Sequence, residues 1–356
     1  MTWKKLNENK KKYLMKNIVN SIFILLIALT SYGQYKTKKY TKSNKKALVY
    51  QYDKSDIYSR GIAYKDGRLF IGNADGSLYY YTMSTGKSKL IFSQPGFSEM
   101  RDIAIVDNKV LGIQSSESGK LLQLDLNGTI KINESFLWKG VFLDGMDFCG
   151  KIGFMMGDPK DSTFSLFHTN DGGNLWFPVF GKVHAKKNEV GFASSGTNVQ
   201  VLNDSTYIFV SGGQISRFFK STDNGMTWKD VVLPYYPGES TGAYSVHFST
   251  DSIGVIVGGD YQDPDIRLNI CFFTTDGGET WYNSEHTVRG YRSCVVEVNG
   301  IFYACGRNGI DFSKNGGKDW IPFADGAYFS MTTTEDKLIA TMKGGSLKFF
   351  DLIEKK

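Results

Sequence analysis

Arg60, Arg101 and Arg292 are the side chains of this 356-residue chain best suited to recognition chemistry. A guanidinium presents a planar fork of donors that fits a carboxylate or phosphate in bidentate fashion. The chain holds only eight arginines, and each of these three opens a short apolar run that reads as a strand. Asp144 stands in the same way, whereas Asp158, Asp260 and Tyr261 follow second strands. Gathered in one place, the arginines would bind an acidic peptide, a C-terminal carboxylate or an acidic sugar. The alternative is architectural, with Arg101 beside Asp102 and Arg292 near Asp260 as ion pairs between neighbouring units, because buried ion pairs often serve geometry.

Other chemistry is less well supplied. Gly238-Glu-Ser240-Thr-Gly242 matches the G-x-S-x-G expression, but it follows prolines in a loop. The strand-to-helix turn that exposes a reactive serine is missing, so no catalytic residue is assigned. Asp260, Asp263 and Asp265 could offer carboxylates to Ca²⁺, yet three acids in one loop more often solvate or cap it. His168, His184, His247 and His286 are isolated, and no metal is assigned. Cys294 and Cys305 flank the Asn299-Gly300 turn and should face each other as a hydrogen-bonded pair. That geometry disfavours a disulfide, so buried free thiols are expected.

The elements that must position these groups are set by a motif that recurs four times. It reads S/T-x-D/N-x-G-x-x-W, with Asp171 and Trp176, Asp223 and Trp228, Asp276 and Trp281, and Asn315 and Trp320. The acidic positions lie 52, 53 and 39 residues apart, a period that signals stacked or radial repeats. In each copy the Asp or Asn accepts backbone N–H groups in a tight turn, and glycine supplies the positive φ. The tryptophan then caps an apolar layer.

Between these turns the chain reads as short alternating strands with no convincing amphipathic helix. Units fall at about 60–92, 100–134, 140–182, 190–234, 243–285 and 291–323. Segment 327–353 supplies only about three strands, and the early run 47–52 supplies one more. Joining the two predicts an all-β propeller of seven four-stranded blades closed by an N-terminal strand, which leaves no open edge. In that architecture the motif turns lie on one face. The seven candidate binding residues should then converge at the channel mouth on the other. The aromatic content, 25 Phe and 20 Tyr, is core material for such a sheet stack.

The four motifs resemble the Asp-box, or BNR, repeat. The phrases at 100–104, 142–148, 157–159, 191–197, 257–261 and 290–293 resemble the bacterial photosystem II stability/assembly factor-like branch of Asp-box propellers over about residues 60–350. That resemblance implies a noncatalytic envelope propeller that binds or helps assemble other proteins. Relatives in this branch often carry the label oxidoreductase, but no G-x-G-x-x-G turn opens a helix here, so no cofactor is expected. Sialidases are more distant Asp-box propellers, and an exo-glycoside hydrolase of acidic glycans is the alternative function. The early Phe/Tyr-Arg-Ile-Pro phrase of sialidases is absent, however, and no Tyr–Glu nucleophile pair can be placed.

The N-terminus bears on location. Lysines 10–12 and 16 precede an apolar run at 18–29, followed by Ser31 and Gly33, which reads as a signal peptide over 1–33. The run is too short for a comfortable span, an uncleaved anchor being the alternative, so no membrane span is expected after cleavage. Residues 1–33 carry +5 of the formal +6, and a basic tail or linker at 34–46 holds six more lysines. The remaining domain, 47–356, is near −5, which gives no support for nucleic-acid binding. An exported monomer, periplasmic rather than extracellular, with a protein or peptide partner, is the expectation.

Overall fold

A computed structural model describes residues 38–40, 47–51, 57–117, 119–126, 130–133 and 140–354. The strands within 38–40, 47–51 and 130–133 are described as backbone only. The segment read as a signal peptide, 1–33, lies outside the described residues. The described chain is all-β and forms seven blades of a propeller, with no helix among the described residues.

The inner strands are, in order, Ser59–Lys65, Met100–Val106, Leu143–Cys149, Val199–Val201, Thr241–Phe248, Cys294–Val298 and Met331–Thr333. Each opens an antiparallel meander of four strands in its blade. In the seventh blade the chain supplies three strands from its end, and Ala47–Gln51 pairs with Ser346–Asp351 as the fourth. The ring closes as expected, which covers an edge that would otherwise invite pairing with another chain. Lys38–Tyr40 adds a fifth strand outside it, within the stretch read as a linker.

Seven apolar clusters occupy the seven blade junctions. Their membership follows the two-residue period of the strand, which sends successive side chains to opposite faces. In Arg68–Asn73 of blade one, Leu69 and Ile71 pack toward blade seven while Phe70 packs toward blade two. In Tyr207–Val210 of blade four, Tyr207 and Phe209 face blade three and Ile208 and Val210 face blade five. Both faces of these middle strands are therefore buried, which is why they read as nearly continuous apolar runs.

The four motif turns have the expected local chemistry. Thr274 Oγ1 accepts from Gly278 N–H at 3.0 Å and donates to Asp276 Oδ1 at 2.7 Å, and Asp276 Oδ1 accepts from Thr280 N–H at 3.0 Å. The degenerate copy keeps this pattern, with Asn315 Oδ1 accepting from Asp319 N–H at 3.0 Å. Gly173, Gly225, Gly278 and Gly317 take φ between 79° and 91°, where a Cβ is strained. The tryptophans do more than cap their own blade. Trp176 packs with Val106, Leu111 and Ile113 of blade two, and Trp320 with Val255 and Val257 of blade five. Trp228 meets Phe154 of blade three, and Trp281 meets Phe218 of blade four. Each motif thus fastens its blade to the preceding one.

Candidate functional site

The site is built from β-bulges. In four blades the register of the inner strand slips by one residue near its start, leaving Arg60, Arg101, Asp144 and Tyr244 unopposed. A bulge bends its strand and re-aims the extra side chain. Here it turns four side chains at equivalent places toward the propeller axis, on the face away from the motif turns. Alternation of strand direction fixes that face. The motif turns sit with the turns that follow inner strands, as Lys109 Nζ shows by donating to Gly172 O at 2.8 Å.

The axis on the bulge face is filled by the chain itself. Residues 191–197, which lead into blade four, cross it and touch five other blades. Gly191 N–H donates to Asp158 Oδ1 of blade three at 2.8 Å. The carbonyls of Ala193 and Ser194 accept from Arg101 Nη1 at 3.0 Å and Arg60 Nη1 at 2.8 Å. Ser195 Oγ donates to Ser293 O of blade six at 2.7 Å, and Thr197 Oγ1 meets Ser245 Oγ of blade five at 2.6 Å. Gly196 lies so close to Asp102 that a Cβ there would overlap the carboxylate. The expected open mouth is therefore a plug, and the arginines grip its carbonyls.

Arg60 lies over the rings of Tyr58 and Phe329, at 5.2 and 5.5 Å from their centroids. Among the described residues it has no carboxylate partner, and its Nε is buried without a hydrogen bond. Burial pulls its pKa down, with the nearby Arg101 charge acting in the same direction. Arg101 pairs with Glu99 at 2.8 Å, both side chains remaining partly exposed at 26% and 30%. That replaces the expected Asp102 pairing. Asp102 points the other way and accepts from Ile103 N–H and Met146 N–H, each at 2.7 Å.

Asp144 is fully buried, and neither oxygen makes a hydrogen bond of good geometry. Burial raises its pKa well above the carboxylate range and repulsion from Asp158 adds to this, against a partial offset from Arg101. Burial also pushes Asp158 up to about 6, opposed by the Gly191 amide. Asp260 Oδ1 accepts from Ser240 Oγ at 2.6 Å and from Gln262 N–H at 2.8 Å, so the serine of the G-x-S-x-G match is spent on a loop contact. Tyr261 is 38% exposed.

Arg292 is placed differently from the expectation. It is fully buried in blade six and binds Asp311 of the same blade, not Asp260. Asp311 is held from its other side by Arg289 at 2.7 Å. Arg292 therefore presents nothing to a ligand. Its place on the surface is taken by Arg307, an exposed residue of the loop after the second strand of blade six, whose guanidinium lies 6.0 Å from the Tyr261 ring. Arg307 occupies the loop type that singled out Asp158 and Asp260, and the same rule applied to blade six finds it. Tyr291, whose hydroxyl meets Ser194 Oγ at 3.2 Å, had no such signal. Cys294 and Cys305 do face each other in register, and both are buried free thiols.

No protein-family model matches the chain, and no curated protein matches it. Solved structures do. The structure of YCF48 bound to D1 peptide is similar with a TM-score of 0.63 at 11% identity, over 90% of this chain and 99% of that one. Virginiamycin B lyase from Staphylococcus aureus, in a catalytically inactive form with quinupristin, gives 0.62 at 12% identity over 90% and 100%. The WD40 propeller domain of Doa1 gives 0.57 at 11% over 90% and 98%. At such identities the likeness establishes one thing, the β-propeller fold.

Proposed function

We propose that this chain is a noncatalytic propeller that binds a protein or peptide partner through an acidic segment on the face opposite the Asp-box turns. The observation that carries the reading is Arg60, a guanidinium set over two aromatic rings that holds the Ser194 carbonyl through Nη1 and has no carboxylate partner among the described residues. Arg101 and Arg307 extend the positive surface around it, and Arg101 is held by one half-solvated acid that a ligand carboxylate can replace. Replacement of an exposed pair costs little, because such pairs are worth about 0–1 kcal/mol. The nearest candidate acid for catalysis, Asp144, has no exposed surface, which favours binding over hydrolysis. A solved propeller of similar fold with a peptide bound is a precedent for the mode of use. The apolar run at 18–29 with its lysines supports export to the envelope, with the propeller acting there as a monomer.

A quantitative pull-down from the cell's own envelope extract tests the reading. Wild-type protein should retain a partner that a cooperatively melting Arg101→Ala/Arg307→Ala variant loses. A partner retained equally by both would place the interface elsewhere and refute the site.

A further inference from the structure

The plug at 191–197 has a consequence for the other half of the axis. Below it lies a cavity of about 380 Å³, walled by the inner strands of all seven blades and floored by Ser195, Gly196 and Thr197. In the longer inner strands its lining comes from residues toward their ends, such as 62–64, 146–148 and 246–247, so it opens on the Asp-box face, away from the arginines. The electrostatics of the cup are one-sided. Asp102, Asp147 and Glu297 line it, and no lysine or arginine does. Burial pushes Asp102 up to about 8, so it is protonated at neutral pH and adds hydrogen-bonding capacity rather than charge, and it pushes Asp147 up to about 6. Among the described residues none of the three makes a salt bridge. Backbone amides hold them instead: Asp147 Oδ2 accepts from Val201 N–H at 2.7 Å, and Glu297 Oε1 accepts from Gly300 N–H.

The remaining titratable groups do not cancel that charge. His247 lines the cup without a hydrogen-bond partner among the described residues, and burial pulls its pKa down to about 4, so the imidazole is neutral at physiological pH. Tyr64 contributes a ring whose hydroxyl is occupied in accepting from Gly67 N–H at 3.2 Å. The acids share a cavity but are dispersed, since no three of the described His, Cys, Asp or Glu side chains stand close enough to hold a metal ion. A compact dication is therefore a poor match. Separated carboxylates with apolar wall between them fit a charge carried at the end of a chain, and low-dielectric walls focus the field on it.

We propose that this cup binds a primary ammonium group borne on a short alkyl chain, entering from the Asp-box face. The ammonium has three donors and no acceptor, which matches a lining of carboxylates, hydroxyls and a neutral imidazole. The closed floor makes the cup a binding site and not a conduit. This site is separate from the arginine face and does not depend on it.

Isothermal titration of the full chain with 1,4-diaminobutane, against 1,4-butanediol and Nα-acetyl-lysine methylamide, tests this. Saturable binding of the diamine but not the diol is expected. Asp147→Asn and Glu297→Gln keep the acceptors for Val201 and Gly300 while removing charge. Each should weaken the diamine by about tenfold, a step of about 1.4 kcal/mol. Arg101→Ala/Arg307→Ala should leave it unchanged. A diamine bound more tightly than the capped lysine identifies a free amine as the ligand, and the reverse order identifies a lysine side chain of a protein partner. No saturable binding up to millimolar diamine, or equal affinity in wild type and both variants, overturns the proposal. Each variant is read only where it melts cooperatively at the wild-type temperature.

Discussion

Arg101 and Arg292 both stand at the start of an inner strand, and their environments decide opposite roles. Arg292 is fully buried against Asp311, which Arg289 also holds, and removing one member of such a cluster leaves uncompensated charge. Asp311→Ala should therefore cost about 3–5 kcal/mol of stability, the usual penalty for breaking a buried pair. Arg101→Ala should cost less, about 1–2 kcal/mol, because its Glu99 pair is partly exposed and the Ala193 carbonyl bond is the main loss. Denaturant unfolding of the two variants checks both values, and similar losses would contradict the assignment. The sequence shows that an arginine begins each strand, but not which acid it meets. Arg101 sits in a bulge and reaches Glu99, two residues away, while Arg292 reaches 19 residues along to the third strand of its blade. That choice depends on strand register, which no local pattern of residue types specifies.

At the scale of elements, the motif turns were legible because their hydrogen bonds are local, running between residues two to four apart. What the tryptophan does was only partly legible. It packs on its own blade and also on the preceding one, so it acts as a fastening between blades. Trp176→Ala should destabilise by about 3–5 kcal/mol, the range for removing a large buried aromatic. Loss well below that in a denaturant melt would mean that the junction between blades two and three repacks around the gap. The plug was the element least visible in advance. Apart from Phe192, residues 191–197 are small, they lack a periodic pattern, and their partners are spread over five other blades. A second set of contacts repeats around the axis, where one inner strand accepts from the next. Asp102 accepts from Met146 N–H, Asp147 from Val201 N–H, Gln200 from Phe248 N–H and Ser245 from Val295 N–H. These clasps explain why acids and amides interrupt otherwise apolar inner strands.

For the whole molecule, the repeat spacing and the spare early strand were enough to anticipate seven blades and their closure. The division of the axis into two dissimilar halves was not, since it arises from one loop crossing the ring. One face gathers Arg60, Arg101 and Arg307, and the other opens on a cup lined by Asp102, Asp147 and Glu297. The central claim is that the first face recognises carboxylates, and pH gives it a distinctive sign. Asp158, pushed up to about 6, repels Asp144, which is raised well above its usual range and lies near Arg101. Protonating Asp158 between about pH 7.5 and 5.5 removes a negative charge from this face, while ordinary ligand carboxylates, near pKa 4, stay charged. The most direct measurement is fluorescence anisotropy of a labelled Asp/Glu-rich peptide and its Asn/Gln counterpart at both pH values. The acidic peptide should bind in preference to the neutral one, more tightly by up to about tenfold at the lower pH, and lose affinity in Arg101→Ala/Arg307→Ala. Equal binding of the two peptides, or affinity that falls on acidification, would contradict the claim.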